Sequence, residues 1–167
     1  MSLKINCPLP LFDSAQYIDG PLTLVKAQQH YQQADILVAQ QFLKNYRGSV
    51  GTFNSYRREI ERLLHWATLV AHKNLASLKR DDMEAFLYFC QAPPKNWIGI
   101  NKPPKFIVKD GARTPNSNWK PFIVTISKAD HKKGMIPNIK DFELSLGSIR
   151  EIFAILRFNP LTPASRV

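Results

Sequence analysis

Large apolar residues recur three or four positions apart over much of this chain, the spacing of helices that bury one face. The clearest run starts at "TFNSYRREIERLLHWA". Phe53, Tyr56, Ile60, Leu63, Leu64, Ala67, Val70 and Ala71 form a stripe of about five turns, while Arg57, Arg58, Glu61, Arg62 and His65 fill most of the positions between. Gly51 is expected to break the preceding element, Thr52 to cap this helix and Lys73-Asn74 to end it. Upstream, "TLVKAQQHYQQADILVAQQFLKNY" runs from Thr23 without Gly or Pro. Leu24, Ala27 and Tyr31 share one face, and Ile36, Ala39, Leu43 and Tyr46 continue the spacing. Thr23 can cap this helix, Asp35 can cap a second one after a break near Ala34, and Gly48 suits a C-terminal cap.

Two further helices are predicted. In "LASLKRDDMEAFLYFCQ" the acids Asp81, Asp82 and Glu84 sit in the first turn, where the helix dipole favours them. Met83, Phe86, Leu87 and either Phe89 or Cys90 face inward, and Pro93-Pro94 stop the element. In "ELSLGSIREIFAILRF" Ser145 or Ser148 is the cap, Ile149, Ile152, Phe153 and Leu156 the buried face, and Asn159-Pro160 the end. Residues 1–21 read as an irregular arm punctuated by Pro8, Pro10, Gly20 and Pro21.

The stretch 92–143 breaks the helical pattern. It holds seven of the 12 prolines, and its ten Lys and Arg against four acids supply +6 of the net charge of +10. A structureless loop of this length is unusual in a compact domain. "KFIVK" and "PFIVTIS" have strand character, so a hairpin or an insertion pinned by Trp97, Trp119 and Phe122 is expected. The fold class is therefore mainly α: four to five helices with a long, basic, Pro- and Trp-rich insertion able to carry a short β-hairpin.

Composition narrows the function classes. A chain of 167 residues with 44% hydrophobic content fits one folded domain, or one domain plus a tail. No apolar run approaches the roughly 20 residues of a membrane span, and the start lacks a secretory signal. Cys7 and Cys90 are far apart and share no motif, which fits a reduced, cytoplasmic setting. The charge of +10 points to a polyanionic partner, nucleic acid before an anionic membrane. For catalysis the residues offer little. His65 and His72 lack Cys or acid partners for a metal, Cys90 reads as a small core residue, and there is no Gly-rich phosphate loop. No cofactor, metal or catalytic residue is assigned.

The strongest chemical signal is the start of the helix at Thr52. Thr52, Asn54, Ser55, Arg57 and Arg58 offer hydroxyl, amide and guanidinium groups to phosphates or base edges, and Lys44 and Arg47 lie just upstream. The alternative is a solvated face on which Glu59 and Glu61 pair the arginines.

Three segments in order then resemble the core-binding domain of tyrosine recombinases, the phage-integrase type. Thr52, Tyr56-Arg57, Leu64 and Trp66 match the family's second helix; Leu75, Leu78, Lys79, Asp82 and Met83 match its connecting segment; and "SLGSIREIFAILRFNP" is similar to its last helix, with Asn159-Pro160 at the entry to the interdomain linker. The resemblance covers about residues 36–160, less the insertion 92–143, which is longer than the family's usual turn. It implies a SAM-like bundle over 22–160, with 161–167 starting a linker to a catalytic domain that this sequence does not contain. It also implies duplex DNA as partner, gripped at a recombination site by the second and last helices, alongside other integrase protomers and in a bacterial or phage context. Ser145, Ser148 and Arg150 of the last helix join the candidate DNA-binding set on that ground. A stand-alone helical DNA-binding regulator and a basic protein-interaction module are the competing readings.

Overall fold

A computed structural model of the chain describes residues 5–19 and 31–158. The structure is mainly helical, with five α-helices among the described residues: α1 (Gln33–Lys44), α2 (Val50–Leu69), α3 (Arg80–Gln91), α4 (Lys128–Lys132) and α5 (Leu146–Phe158). The helical pattern predicted from Thr23 to His30, with Leu24 and Ala27, lies outside the described residues. So do Gly20, Pro21, the Asn159-Pro160 end, the 161–167 linker and the side chain of Leu156.

The core forms where the apolar stripes meet. Ile36, Ala39 and Leu43 of α1, Phe53, Ile60, Leu64 and Ala67 of α2, Phe86 and Cys90 of α3, and Ile152 and Ile155 of α5 are all buried in one cluster. The end of α1 is held on the start of α2 by a tilted aromatic trio. Ring centroids of Phe42 and Tyr46 are 5.1 Å apart, and those of Tyr46 and Tyr56 are 4.8 Å apart, edge to face.

Several local expectations are corrected. The helix predicted from Thr52 begins at Val50 with Ser49 at its N-cap position, so Gly51 and Thr52 lie inside it. Thr52 instead receives a hydrogen bond from Ser49 Oγ at 3.1 Å. Gly48 has no left-handed backbone; α1 ends through successive turns from Asn45 to Gly48. Asp35 does not cap its own helix. Its buried carboxylate accepts from the backbone N–H of Leu75, at the start of the 3₁₀ turn Leu75–Ser77, and so ties α1 to the chain between α2 and α3. In α5 the buried face is Ser148, Ile152 and Ile155, and Phe153 is 50% exposed. A face at 148, 152 and 155 keeps the three-to-four spacing while rotating the helix by one position.

α3 follows its prediction closely. Asp81 and Asp82 stand in its first turn, and Asp82 accepts from the backbone N–H of Lys79 at 2.8 Å, satisfying one of the orphan donors of the helix start.

The insertion is ordered by two small sheets. β2 (Phe106–Lys109) and β3 (Ala112–Pro115) form an antiparallel hairpin closed at Asp110-Gly111, whose φ angles of 53° and 78° are those of a two-residue primed turn. "KFIVK" is thus a hairpin strand, but its partner is "ARTP". "PFIVTIS" supplies β4 (Phe122–Ile123), which pairs in parallel with β1 (Ile98–Gly99). Gly99 allows a close approach there: a Cβ would lie 3.0 Å from Lys120 Cγ, so a larger residue needs the Lys120 side chain to shift. Trp97 and Phe122 are fully buried and pin the insertion as expected, while Trp119 is half-buried beside His65.

Candidate nucleic-acid interface

α2 runs antiparallel to α5. Arg58 Nη2 donates to Glu151 Oε2 at 2.7 Å, and one turn further along α2 Arg62 Nη1 lies 3.4 Å from Ser148 Oγ. As the α2 number rises, the α5 number falls. This register decides which candidate residues meet. Arg58 and the neighbourhood of Arg150 share one surface, with Asn54 one turn before Arg58 on the same face of α2. Ser145 sits at the opposite end. Ten residues of helix separate Thr52 from the level of Ser148, about 15 Å at the helical rise.

The candidate residues have distinct surroundings. Asn54, Ser145 and Arg150 are exposed, and Thr52, Ser55 and Arg57 are partly covered. Ser145 caps α5, its Oγ accepting from the Ser148 N–H at 3.0 Å. Ser148 is buried against Arg62, so it cannot face a ligand; the expectation that it does is corrected by the rotation of α5. Lys44 and Arg47 both pair with Asp19 of the N-terminal arm, Lys44 at 3.5 Å. Arg58 is held by two carboxylates, Glu59 at 2.8 Å and Glu151 at 2.7 Å, which together outweigh burial and push its pKa up. Arg57 lies over the Phe53 ring at 5.7 Å, and burial lowers its pKa despite Glu61 and Asp13 nearby.

The middle of α2 departs most from the sequence reading. Glu59, Glu61, Arg62 and His65 are not solvated; all four are buried. Arg62 bonds Glu59 at 2.9 Å, donates Nε to the Pro121 carbonyl at 2.9 Å and lies 4.3 Å over the Phe122 ring. Glu61 accepts from the backbone N–H groups of Leu11 and Phe12 and from Lys105 Nζ. Burial would raise the Glu61 pKa, but Lys105, His65 and the Leu11 N–H together hold it below 4.5. His65 meets the Tyr31 hydroxyl at 2.6 Å. The arm and the insertion cover this face, so charges written at exposed helical positions become an internal network. A sequence cue existed: the insertion carries two of the three tryptophans, Trp97 and Trp119, with no helical stripe of its own to bury them.

The insertion contributes the freer cations. Of its ten Lys and Arg, only Lys105 and Arg113 form ion pairs with described residues, Arg113 with Asp13 at 2.8 Å. Lys95, Lys102, Lys109, Lys128, Lys132, Lys133 and Lys140 are exposed.

No family model, curated protein or solved structure matches this chain. Among the described residues no group of three or more His, Cys, Asp or Glu is placed to hold a metal, and no helix is long and apolar enough to cross a membrane. Cys7 and Cys90 are both free thiols, and burial raises the pKa of each. The groups available to an anion are the exposed polar side chains of α2 and α5 and, separately, the exposed lysines of the insertion.

Proposed function

We propose that this chain is a duplex-DNA grip of the kind found in tyrosine recombinases. In this reading α1, α2, α3 and α5 form the SAM-like core-binding bundle, the start of α2 and the exposed side of α5 face the DNA, and the chain's part is holding a recombination site beside other protomers while cleavage belongs to a catalytic domain. The observation that supports it best is the polar surface shared by two helices, with Asn54 and Arg58 on α2 and Arg150 beside Glu151 on α5, in a chain of charge +10. Such a surface suits phosphates first and base edges second.

The test is a titration of a 30-base-pair duplex at low and moderate salt. Affinity falls steeply with salt if phosphates dominate. Arg58→Ala combined with Arg150→Ala weakens binding at both salts, with thermal melting confirming an intact fold. Salt-independent binding, or full affinity in the double variant, refutes the proposal.

A further inference from the structure

The segment from Lys128 to Asp141 displays apolar side chains in water on a stiff frame. Ile136 is 82% exposed, Met135 53% and Ile139 36%. Exposure here does not come from a slack loop. Ser127 caps α4 by accepting from the Asp130 N–H at 3.0 Å. The other end of α4 closes with two bonds, Met135 N–H to the Asp130 carbonyl and Gly134 N–H to the His131 carbonyl, both 3.1 Å, around Gly134 at φ 75°. That is a Schellman closure, which is frequently accompanied by an apolar contact from the position Met135 occupies back to the last helical turn. Past the tip, Asn138 Oδ1 accepts from the Lys140 N–H at 2.9 Å and sets the 3₁₀ turn Ile139–Asp141. The backbone on both sides is satisfied and capped, yet at the tip Ile136 stands almost bare, Met135 is about half exposed and only Pro137 is partly covered.

Around the tip stand Lys128, Lys132, Lys133 and Lys140, all exposed and without an ion pair among the described residues. The half-buried Asp130 and the exposed Asp141 offset part of that charge, leaving four lysines against two acids over 128–141. An apolar tip between cations fits a partner with an apolar slot between rows of anions.

We infer that Met135-Ile136-Pro137 is a wedge that enters a groove of duplex DNA and kinks it, with the surrounding lysines on the flanking phosphates. The inference rests on the DNA-binding reading above and adds a second contact to it. Methionine, isoleucine and proline are side chains that proteins insert between base steps, opening the step and bending the duplex. The lysines supply the phosphate contacts that hold such a wedge in register.

The experiment uses the whole chain and a 30-base-pair duplex labelled at both ends, so that energy transfer reports bending and anisotropy reports affinity. The unaltered chain bends the duplex. Ile136→Ser abolishes the bend and lowers affinity about tenfold or more, the loss expected when an isoleucine side chain is no longer buried. Ile136→Met keeps the bend. Val108→Ser, which trims another well-exposed apolar residue, on the β2–β3 hairpin, changes neither readout. If the duplex binds but stays straight, or if Ile136→Ser and Val108→Ser act alike, the wedge is overturned while the DNA reading stands. If no duplex binds at low salt, both fall. A parallel titration with phosphatidylserine-rich vesicles covers the remaining case: vesicle binding lost in Ile136→Ser, with DNA binding unchanged, assigns the tip to a membrane and overturns the wedge.

Discussion

Glu61 sits where three parts of the chain meet, accepting from the arm at Leu11 and Phe12 and from Lys105 of the insertion. A buried carboxylate with three donors is well compensated, and removing a donor leaves charge without a partner. Lys105→Met should therefore cost about 3 kcal/mol of stability, read as a shift in urea midpoint. Glu61→Gln with Lys105→Met should cost less than the two single changes added together, because the pair acts as a unit. The pH dependence has a defined sign. The folded pKa of Glu61 lies below 4.5, so its contribution is in place above pH 4.5 and is lost as pH falls through the folded value. Burial depresses Lys105 from 10.5 to about 8, more than Glu61 restores. Between those values the unfolded chain binds the proton that the folded chain has released, so this group's contribution grows as pH rises from about 8 to 10.5. Denaturation curves at pH 4, 7 and 10 check both limbs, and Lys105→Met should erase the alkaline one.

At the scale of elements, the placement of α2, α3 and α5 and the buried faces of α2 and α3 were legible, and the rotation of α5 was not. The three-to-four spacing located α2, α3 and α5 because large residues such as Phe53, Ile60, Leu64, Phe86 and Ile152 must all reach one core. The caps failed where a weaker local signal competed: Gly51 and Thr52 look like a stop and a start, but the helix takes in Val50 and Gly51, and Tyr46 and Tyr56 pack edge to face across the junction. Phe153 was misplaced because both faces of α5 carry apolar residues, and periodicity alone cannot choose between them. Partners distant in sequence were invisible altogether; nothing local links Glu61 to Leu11 or Arg62 to Pro121. The same limit hides the role of the arm. Its Asp19 pairs with Lys44 and Arg47, and its Asp13 with Arg113, so the arm occupies three cations of the rest of the chain. Asp19→Asn should raise duplex affinity severalfold at low salt, whereas Asp110→Asn, the same charge change at the hairpin turn, should do much less. Equal effects from the two would mean that only net charge matters. The hairpin has its own test: Gly111→Ala places a side chain at φ 78° and should loosen the turn by about 1 kcal/mol, seen as faster hydrogen exchange at Lys109 and Ala112.

For the whole molecule, the charges divide unevenly between its two halves. The helical bundle spends Lys44, Arg47, Arg58, Arg62 and Lys73 on internal ion pairs, while eight of the insertion's ten cations have none with described residues. More cations without a described ion-pair partner therefore lie in the insertion than at the start of α2. The bundle can still supply shape and polar contacts, since Asn54 and Arg150 stand exposed on it. Salt dependence separates the two contributions. Each phosphate contact made by a cation adds about 0.9 to the slope of log affinity against log salt. Replacing Lys128, Lys132, Lys133 and Lys140 with glutamine should reduce that slope by about 3.6 if all four meet phosphates. Replacing Lys44, Arg47 and Arg58 should reduce it by less, because on binding those side chains exchange a carboxylate for a phosphate and gain little net attraction. Slopes measured on one duplex for the two sets of variants decide the matter, and a larger drop from the second set would return the main electrostatic contact to the bundle.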